Sequence, residues 1–267
     1  MTLEAILQQW PGVAVAFSGG VDSTFLLARA VDVLGAERVI AITALSPTLS
    51  GHERQQCQQL AQGIGVRHVL RHSGEMDNPL FTNNGPDRCY HCKDGLFTLC
   101  RAIMREYQCD SWQLVYGANQ DDLLDHRPGM EAARRHGVRA PLLESGLGKA
   151  DIRRLSQQMG LPTAEKPALA CLSSRFPSFT LITQQRLHQV EQAETLLRHE
   201  GFRVYRVRYH GTRARIEVGA DELWRLSDAS LCSRLTDGIR AAGFAEVEFD
   251  PSGYRDPVTK NGNLRGA

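Results

Sequence analysis

No stretch of this sequence is apolar for long enough to cross a bilayer, and its start, MTLEAILQQWPG, lacks the basic opening and long apolar middle of a secretory signal. Both absences point to a cytoplasmic protein with no membrane partner. Net charge is nearly absent as well: 31 Lys and Arg against 30 Asp and Glu leave a formal +1. So weak a field gives no general attraction for a phosphate backbone, so nucleic acid is not an expected partner and any bound anion must be held by local arrangement. Internal repeats and low-complexity tracts are missing too. Cysteine is present in the wrong number for a disulfide framework: seven, scattered through 267 residues, which a reducing cytosol would keep as thiols. What is left is an ordinary globular composition, 42% apolar and 23% charged, long enough for one large domain or two modest ones.

The order of the apolar segments indicates the fold class. Val13 to Phe17, Val39 to Leu45, Arg67 to Arg71 and Gln113 to Gly117 read as strands. Between them, Val21 to Leu34, His52 to Ile64 and Leu96 to Tyr107 carry apolar residues at helical spacing. Alternating strand and helix, with continuous apolar strands, predicts an α/β fold: a parallel sheet with helices on both faces, whose ligands gather at the carboxyl ends of the strands. After Pro177 the pattern changes to a long helix (Thr183 to Glu200), a hairpin-like pair (FRVYRVRYHG and TRARIEV), two short helices and a last strand, FAEVEF. Two domains are expected, 1–177 and a smaller α+β domain over 178–267, whose end from Pro251 onward is expected to be loosely ordered.

Directly after the first strand comes SGGVDS. Ser18-Gly19-Gly20 lets the backbone turn with nothing on Cα, so that several N–H groups converge on an anion at the start of the next helix, and Ser23 adds a hydroxyl. Asp22 beside such a site is either a ligand for a cation such as Mg²⁺ or a first-turn helix acid that points away. GLGKA at Gly146 to Ala150 is not a second phosphate loop, because it lacks the upstream glycine and a hydroxyl after Lys149.

Three other groups of residues can carry chemistry. Cys171 lies in a Pro-flanked polar segment, KPALACLSSRFPS, where neither a helix nor a strand period asks for a buried thiol; it is either a small hydrophobe under a loop or a thiolate favoured by Arg175. Asn119, Asp121, Asp122 and Asp125 follow a predicted strand, as ligand groups or as acids decorating a helix start. In the predicted hairpin the period of two puts Arg206, Arg208, Arg213 and Arg215 on one face, either a grip for phosphate or a solvated surface with Arg215 balanced by Glu217. Cys89 and Cys92 form a lone CxxC around His91 with no second pair at zinc-site spacing. Cys57 and Cys100 fall on apolar helix faces as core thiols.

SGGVDS resembles the signature of the PP-loop ATP pyrophosphatases. With RCYHCKDGLF (88–97), YGANQDDLLDHRPG (116–129), GVRAPLLE (137–144), KPALACLSSRFP (166–177) and GYR (253–255), the sequence is similar over most of its length to the LarE-type ATP-dependent sacrificial sulfur transferases, which serve assembly of the nickel-pincer nucleotide cofactor. The resemblance implies a PP-loop domain binding ATP through Ser18, Gly19, Gly20, Asp22, Ser23, Asn119, Asp121 and Arg127, with Mg²⁺ at Asp22. It implies Cys171 as the sulfur donor, left as dehydroalanine, and Arg206, Arg208 and Arg255 as anchors for the phosphate of a pyridinium mononucleotide carboxylate. A homo-oligomer is also expected. Members with further cysteines near Cys171 suggest an iron–sulfur role; the single cysteine here favours sacrifice. The rival readings are another adenylating PP-loop enzyme, a persulfide-dependent thiolase or an amide-forming ligase, and a nucleotide-sensing protein. An RNA-binding module and a glutaminase-like domain are lacking, which speaks against the first two. His126 stands in place of an expected tyrosine, and PSFT (177–180) in place of the usual PYGT.

Overall fold

In a computed structural model that describes residues 1–124, 128–167 and 170–254, the chain divides into two compact units, Met1–Leu169 and Ala170–Ala267. The division falls earlier than the boundary expected after Pro177, so the stretch carrying Cys171 goes with the C-terminal unit.

The first unit opens with a short helix, α1 (Leu3–Leu7), capped by the Thr2 hydroxyl. Four strands follow in alternation with helices: β1 (Val13–Ala16), α2 (Val21–Leu34), β2 (Val39–Leu45), α3 (Gly51–Ile64), β3 (Arg67–His72), α4 (Pro79–Thr82), α5 (Arg88–Glu106) and β4 (Gln113–Tyr116). Three helices complete the unit, α6 (Pro128–Arg135), α7 (Pro141–Glu144) and α8 (Lys149–Gln158). The strands form one parallel sheet in the order β3-β2-β1-β4, with Val13 level with Val39 on one side and Gln113 on the other. Alternation along the wholly buried β1 assigns the two faces. Val13 and Val15 join Phe25, Leu26, Cys57 and Ile152 from α2, α3 and α8; Ala14 and Ala16 join Phe97, Cys100, Ile103 and Met104 from α5. Helices therefore cover both faces, as the alternation predicts. α5 begins at Arg88, well before the expected Leu96, which places Cys89 and Cys92 in its first turns.

Topology locates the ligand end. The chain steps from β1 outward through β2 to β3, then returns to place β4 on the other side of β1, so the order reverses between β1 and β4. In open α/β sheets a crevice opens beyond the carboxyl ends of the strands at such a reversal. The residues that follow β1 and β4 there are Ser18 to Ser23 and Gly117 to Asp122.

The second unit packs α9 (Gln184–His199), capped by Thr183, against β5 (Tyr205–His210), which pairs antiparallel with β6 (Arg213–Val218). A 3-10 segment (Ala220–Ser227) and α10 (Ala229–Ala241) then return the chain to β7 (Glu246–Phe249), parallel to β6. Val207, Tyr209, Ala214 and Ile216 are buried. Of the tail after Pro251, residues 255–267 lie outside the described residues.

Candidate functional site

Gly20 is the N-cap of α2, and the first N–H groups of a helix have no partner within it, so those of Gly20, Val21, Asp22 and Ser23 converge at the carboxyl end of β1. The turn is braced by its own hydroxyls. Ser23 Oγ donates to the Gly20 carbonyl at 3.2 Å, accepts from the Ser18 N–H at 3.3 Å, and lies 3.1 Å from Ser18 Oγ. Gly19 has φ +68°, and a Cβ there would stand 2.7 Å from Cys57 Sγ, so both conformation and space require glycine. From the neighbouring strand Gly117 comes just as close: a Cβ on it would meet the Ser23 backbone nitrogen at 2.9 Å. Ser18, Gly19, Gly20 and Ser23 thus build one preformed anion cradle. Its donors are backbone N–H groups, and its serine hydroxyls hold it in shape.

Asn119, Asp121 and Asp22 are brought together beside this cradle. Asn119, almost fully buried, donates from Nδ2 to Asp22 Oδ1 at 3.1 Å and accepts the Asp121 N–H at 2.9 Å. The other Asp22 oxygen is paired with the Lys149 ammonium. Asp121 Oδ2 takes the backbone N–H of Lys149 at 2.6 Å, capping α8 from a distance, and Asp122 Oδ2 takes that of Asn119 at 3.0 Å. Asp125 and Arg127, and His126 between them, lie outside the described residues. Lys149 is a residue that the sequence reading passed over: GLGKA is no phosphate loop, yet its lysine sits on the signature aspartate. The spacing between Asp22 and Lys149 gives no local signal of the pair.

Cys171 is exposed and caps the 3-10 turn Leu172–Arg175, with Sγ 2.9 Å from the hydroxyl of the fully buried Ser173. Arg175 does not face the thiol as the sequence suggested. Its guanidinium is buried, grips Glu194 through Nε at 2.8 Å and Nη2 at 3.0 Å, and uses Nη1 on the Ala170 carbonyl (2.6 Å), the Cys171 carbonyl (3.1 Å) and Ser174 Oγ (2.9 Å). Its hydrogen bonds fix the backbone around Cys171 and leave the thiol to Ser173.

The hairpin arginines do share a face, since Arg206 is level with Glu217 and Arg208 with Arg215. Acids share it with them. Arg208 pairs with Glu217 at 2.9 Å and donates to the Ser174 carbonyl at 3.1 Å, and Arg215 reaches Glu217 and Asp250. Arg206 is buried, with its guanidinium 4.7 Å from the centroid of the Tyr254 ring; burial, reinforced by the Arg175 charge, pushes it below its ordinary value. The Ser174 carbonyl and the Arg175–Glu194 pair, which also takes the Val207 N–H, join this face to the cysteine turn. Arg255 lies outside the described residues.

The remaining thiols divide by burial. Desolvation pushes Cys57 up to about 11 and Cys100 up to about 12, as core thiols should be. Cys89 is exposed and Cys92 half-buried; His91 is paired with Asp87 at 3.0 Å. Among the described residues no three His, Cys, Asp or Glu side chains gather as a metal site, and no helix is long and apolar enough to cross a membrane.

No protein-family model matches the sequence. Among curated proteins, the chain is 42% identical over 246 residues to the uncharacterized protein slr1717 of Synechocystis sp., covering 90% of this chain and 89% of that protein. It is 27% identical over 210 residues to the uncharacterized protein MJ0830 of Methanocaldococcus jannaschii, 78% of each. A third relative carries an activity in its name: the pyridinium-3,5-bisthiocarboxylic acid mononucleotide synthase of Lactiplantibacillus plantarum, 34% identical over 265 residues that span 97% of this chain and 94% of the synthase. That match runs from before the cradle to beyond the arginine face, and with it the chain belongs to the LarE-type family of ATP-dependent enzymes that includes this synthase.

Proposed function

We propose that this chain activates the carboxylate of a pyridinium mononucleotide with ATP and replaces a carboxylate oxygen with the sulfur of Cys171, a step in nickel-pincer nucleotide cofactor biosynthesis. The observation that carries the reading is 34% identity, over nearly the whole of both chains, with a synthase whose named product bears two thiocarboxylates. The preformed cradle supports it, because a carboxylate becomes an electrophile only with a good leaving group, and a turn of converging N–H groups suits the pyrophosphate that departs when AMP is transferred. Each step balances. The carboxylate oxygen attacks the α-phosphorus of ATP, releasing pyrophosphate and leaving an acyl adenylate. Cys171 thiolate attacks the acyl carbon and AMP leaves, giving a thioester. A base then takes the Cα proton of Cys171, the Cβ–S bond breaks, and a thiocarboxylate departs from a dehydroalanine. One sulfur is spent per chain.

For the phosphate of the substrate we assign Arg206, Arg208 and Arg255, and for ATP the cradle with Asn119, Asp121 and Arg127. Asp22 is a poor open ligand for Mg²⁺, because Lys149 and Asn119 occupy both of its oxygens; in this reading Mg²⁺ travels with the phosphates of ATP. A cytoplasmic homo-oligomer with a small-molecule substrate, without nucleic acid or membrane, completes the proposal. Intact-protein mass spectrometry after incubation with ATP, Mg²⁺ and the carboxylated mononucleotide tests it. Loss of one H₂S mapped to Cys171 is expected. Unchanged mass with many turnovers per chain would overturn sacrifice in favour of a persulfide route.

A further inference from the structure

The sulfur-transfer steps assign no part to Lys166, a largely covered charge beside the cradle. Lys166 is 11% exposed at its side chain, and its ammonium lies 2.8 Å from Glu53 Oε2 and 2.7 Å from Gln56 Oε1, both on α3, and 3.0 Å from the carbonyl of Gly19. An ammonium has three protons, and all three are placed. The third partner bears on the cradle. In a trans peptide the carbonyl and the following N–H point in opposite directions, so holding Gly19 O on Lys166 turns the Gly20 N–H away from Lys166. The main chain of the same segment is held as well, because Arg153 donates from Nη1 to the Ala164 carbonyl and from Nη2 to the Lys166 carbonyl, the latter at 2.8 Å.

We infer that Lys166 is a positioning residue for adenylation: by tying the Gly19 carbonyl to α3, its side chain sets the peptide at the base of the anion cradle. The inference rests on the sulfur-transfer reading. The test uses the full chain with ATP, Mg²⁺ and pyridinium-3,5-dicarboxylate mononucleotide, measuring pyrophosphate release, thiocarboxylate formed and thermal unfolding together. Lys166→Met is expected to slow pyrophosphate release at least about tenfold at a temperature where the variant is fully folded. Glu53→Gln keeps a side chain of the same shape while removing the ion pair, and should slow it by less. A purely structural lysine would lower the unfolding temperature and leave pyrophosphate release by the folded variants at the wild-type rate, and that result in both variants overturns the inference. Wild-type protein that releases pyrophosphate without thiocarboxylate refutes the sulfur-transfer reading, while the relative pyrophosphate rates still decide the cradle role.

Discussion

Replacing Gly19 with alanine tests whether the cradle is as tightly specified as its geometry implies. Two costs can be separated. At φ +68° an alanine pays about 1–2 kcal/mol for the left-handed conformation. Its Cβ would also stand 2.7 Å from Cys57 Sγ, and since Cys57 is fully buried the overlap must be relieved by repacking, at about 1–3 kcal/mol. Together they destabilise by about 2–5 kcal/mol, or a fall of about 4–20 °C in unfolding temperature for a chain of this size. The protein should still fold, because domains of this kind hold about 5–15 kcal/mol. Thermal unfolding of Gly19→Ala, Cys57→Ala and the double variant isolates the second term: without the Sγ, Gly19→Ala should cost less by about 1–3 kcal/mol, while the backbone strain stays. Equal costs in both backgrounds would refute the contact, and a Gly19→Ala variant as stable as wild type would refute the whole account of the turn.

Alkylation read by mass spectrometry at pH 8 should modify exposed Cys171 and Cys89 quickly and spare buried Cys57 and Cys100, whose thiols stay protonated; labelling of Cys57 at the rate of Cys171 would contradict the packing. Burial holds the imidazole of His68 below its ordinary value of 6.5, beneath a chain in which Thr43 lies 2.8 Å from both the ring and the Phe17 carbonyl. Its contribution is therefore complete above pH 6.5 and is lost as pH falls below that value toward the folded one, so His68→Gln should flatten stability over that interval relative to wild type. Glu194→Ala strands Arg175 in a buried site beside Arg206 and should destabilise the C-terminal unit by about 3–5 kcal/mol in chemical denaturation, whereas a neutral effect would mean that the pair is not buried as described. Phe179 holds φ +65°, a conformation that glycine adopts without cost, so Phe179→Gly should raise the unfolding temperature, the relief of about 1–2 kcal/mol exceeding the added chain entropy.

Most of the first unit was legible because its strands are continuous apolar runs and its helices keep an apolar stripe: β2 and α2 match the expected Val39 to Leu45 and Val21 to Leu34. The start of α5 was not. RCYHCKD carries no apolar stripe, and it is helical because the segment continues into Phe97, Cys100 and Met104, which pack on the sheet. The period of two put four arginines on one strand face with Glu217 beside Arg215, yet it could not show that Glu217 lies level with Arg206 and pairs with Arg208 as well, or that Asp250 arrives from beyond β7. Arg175 was misread for a similar reason. Proximity to Cys171 in sequence suggested a charge on the thiol, while its distant partner Glu194, nineteen positions on, draws the guanidinium behind the turn.

These outcomes share one cause. A residue type announces chemistry that it can perform, and in this fold most of that capacity is spent on holding backbone in place. Ser18 and Ser23 bind the turn, Asp121 caps α8, Asn119 and Lys149 fix Asp22, and Arg175 fixes the carbonyls of Ala170 and Cys171. What stays free to meet a ligand at the cradle is a set of backbone N–H groups, and those have no letter in the sequence. Their trace is indirect: glycine where a Cβ would collide, and a polar side chain wherever a carbonyl must be turned outward. A substitution of a bracing residue should therefore impair the cradle by disordering it, and its effect should exceed what the lost side chain could contribute by touching the nucleotide.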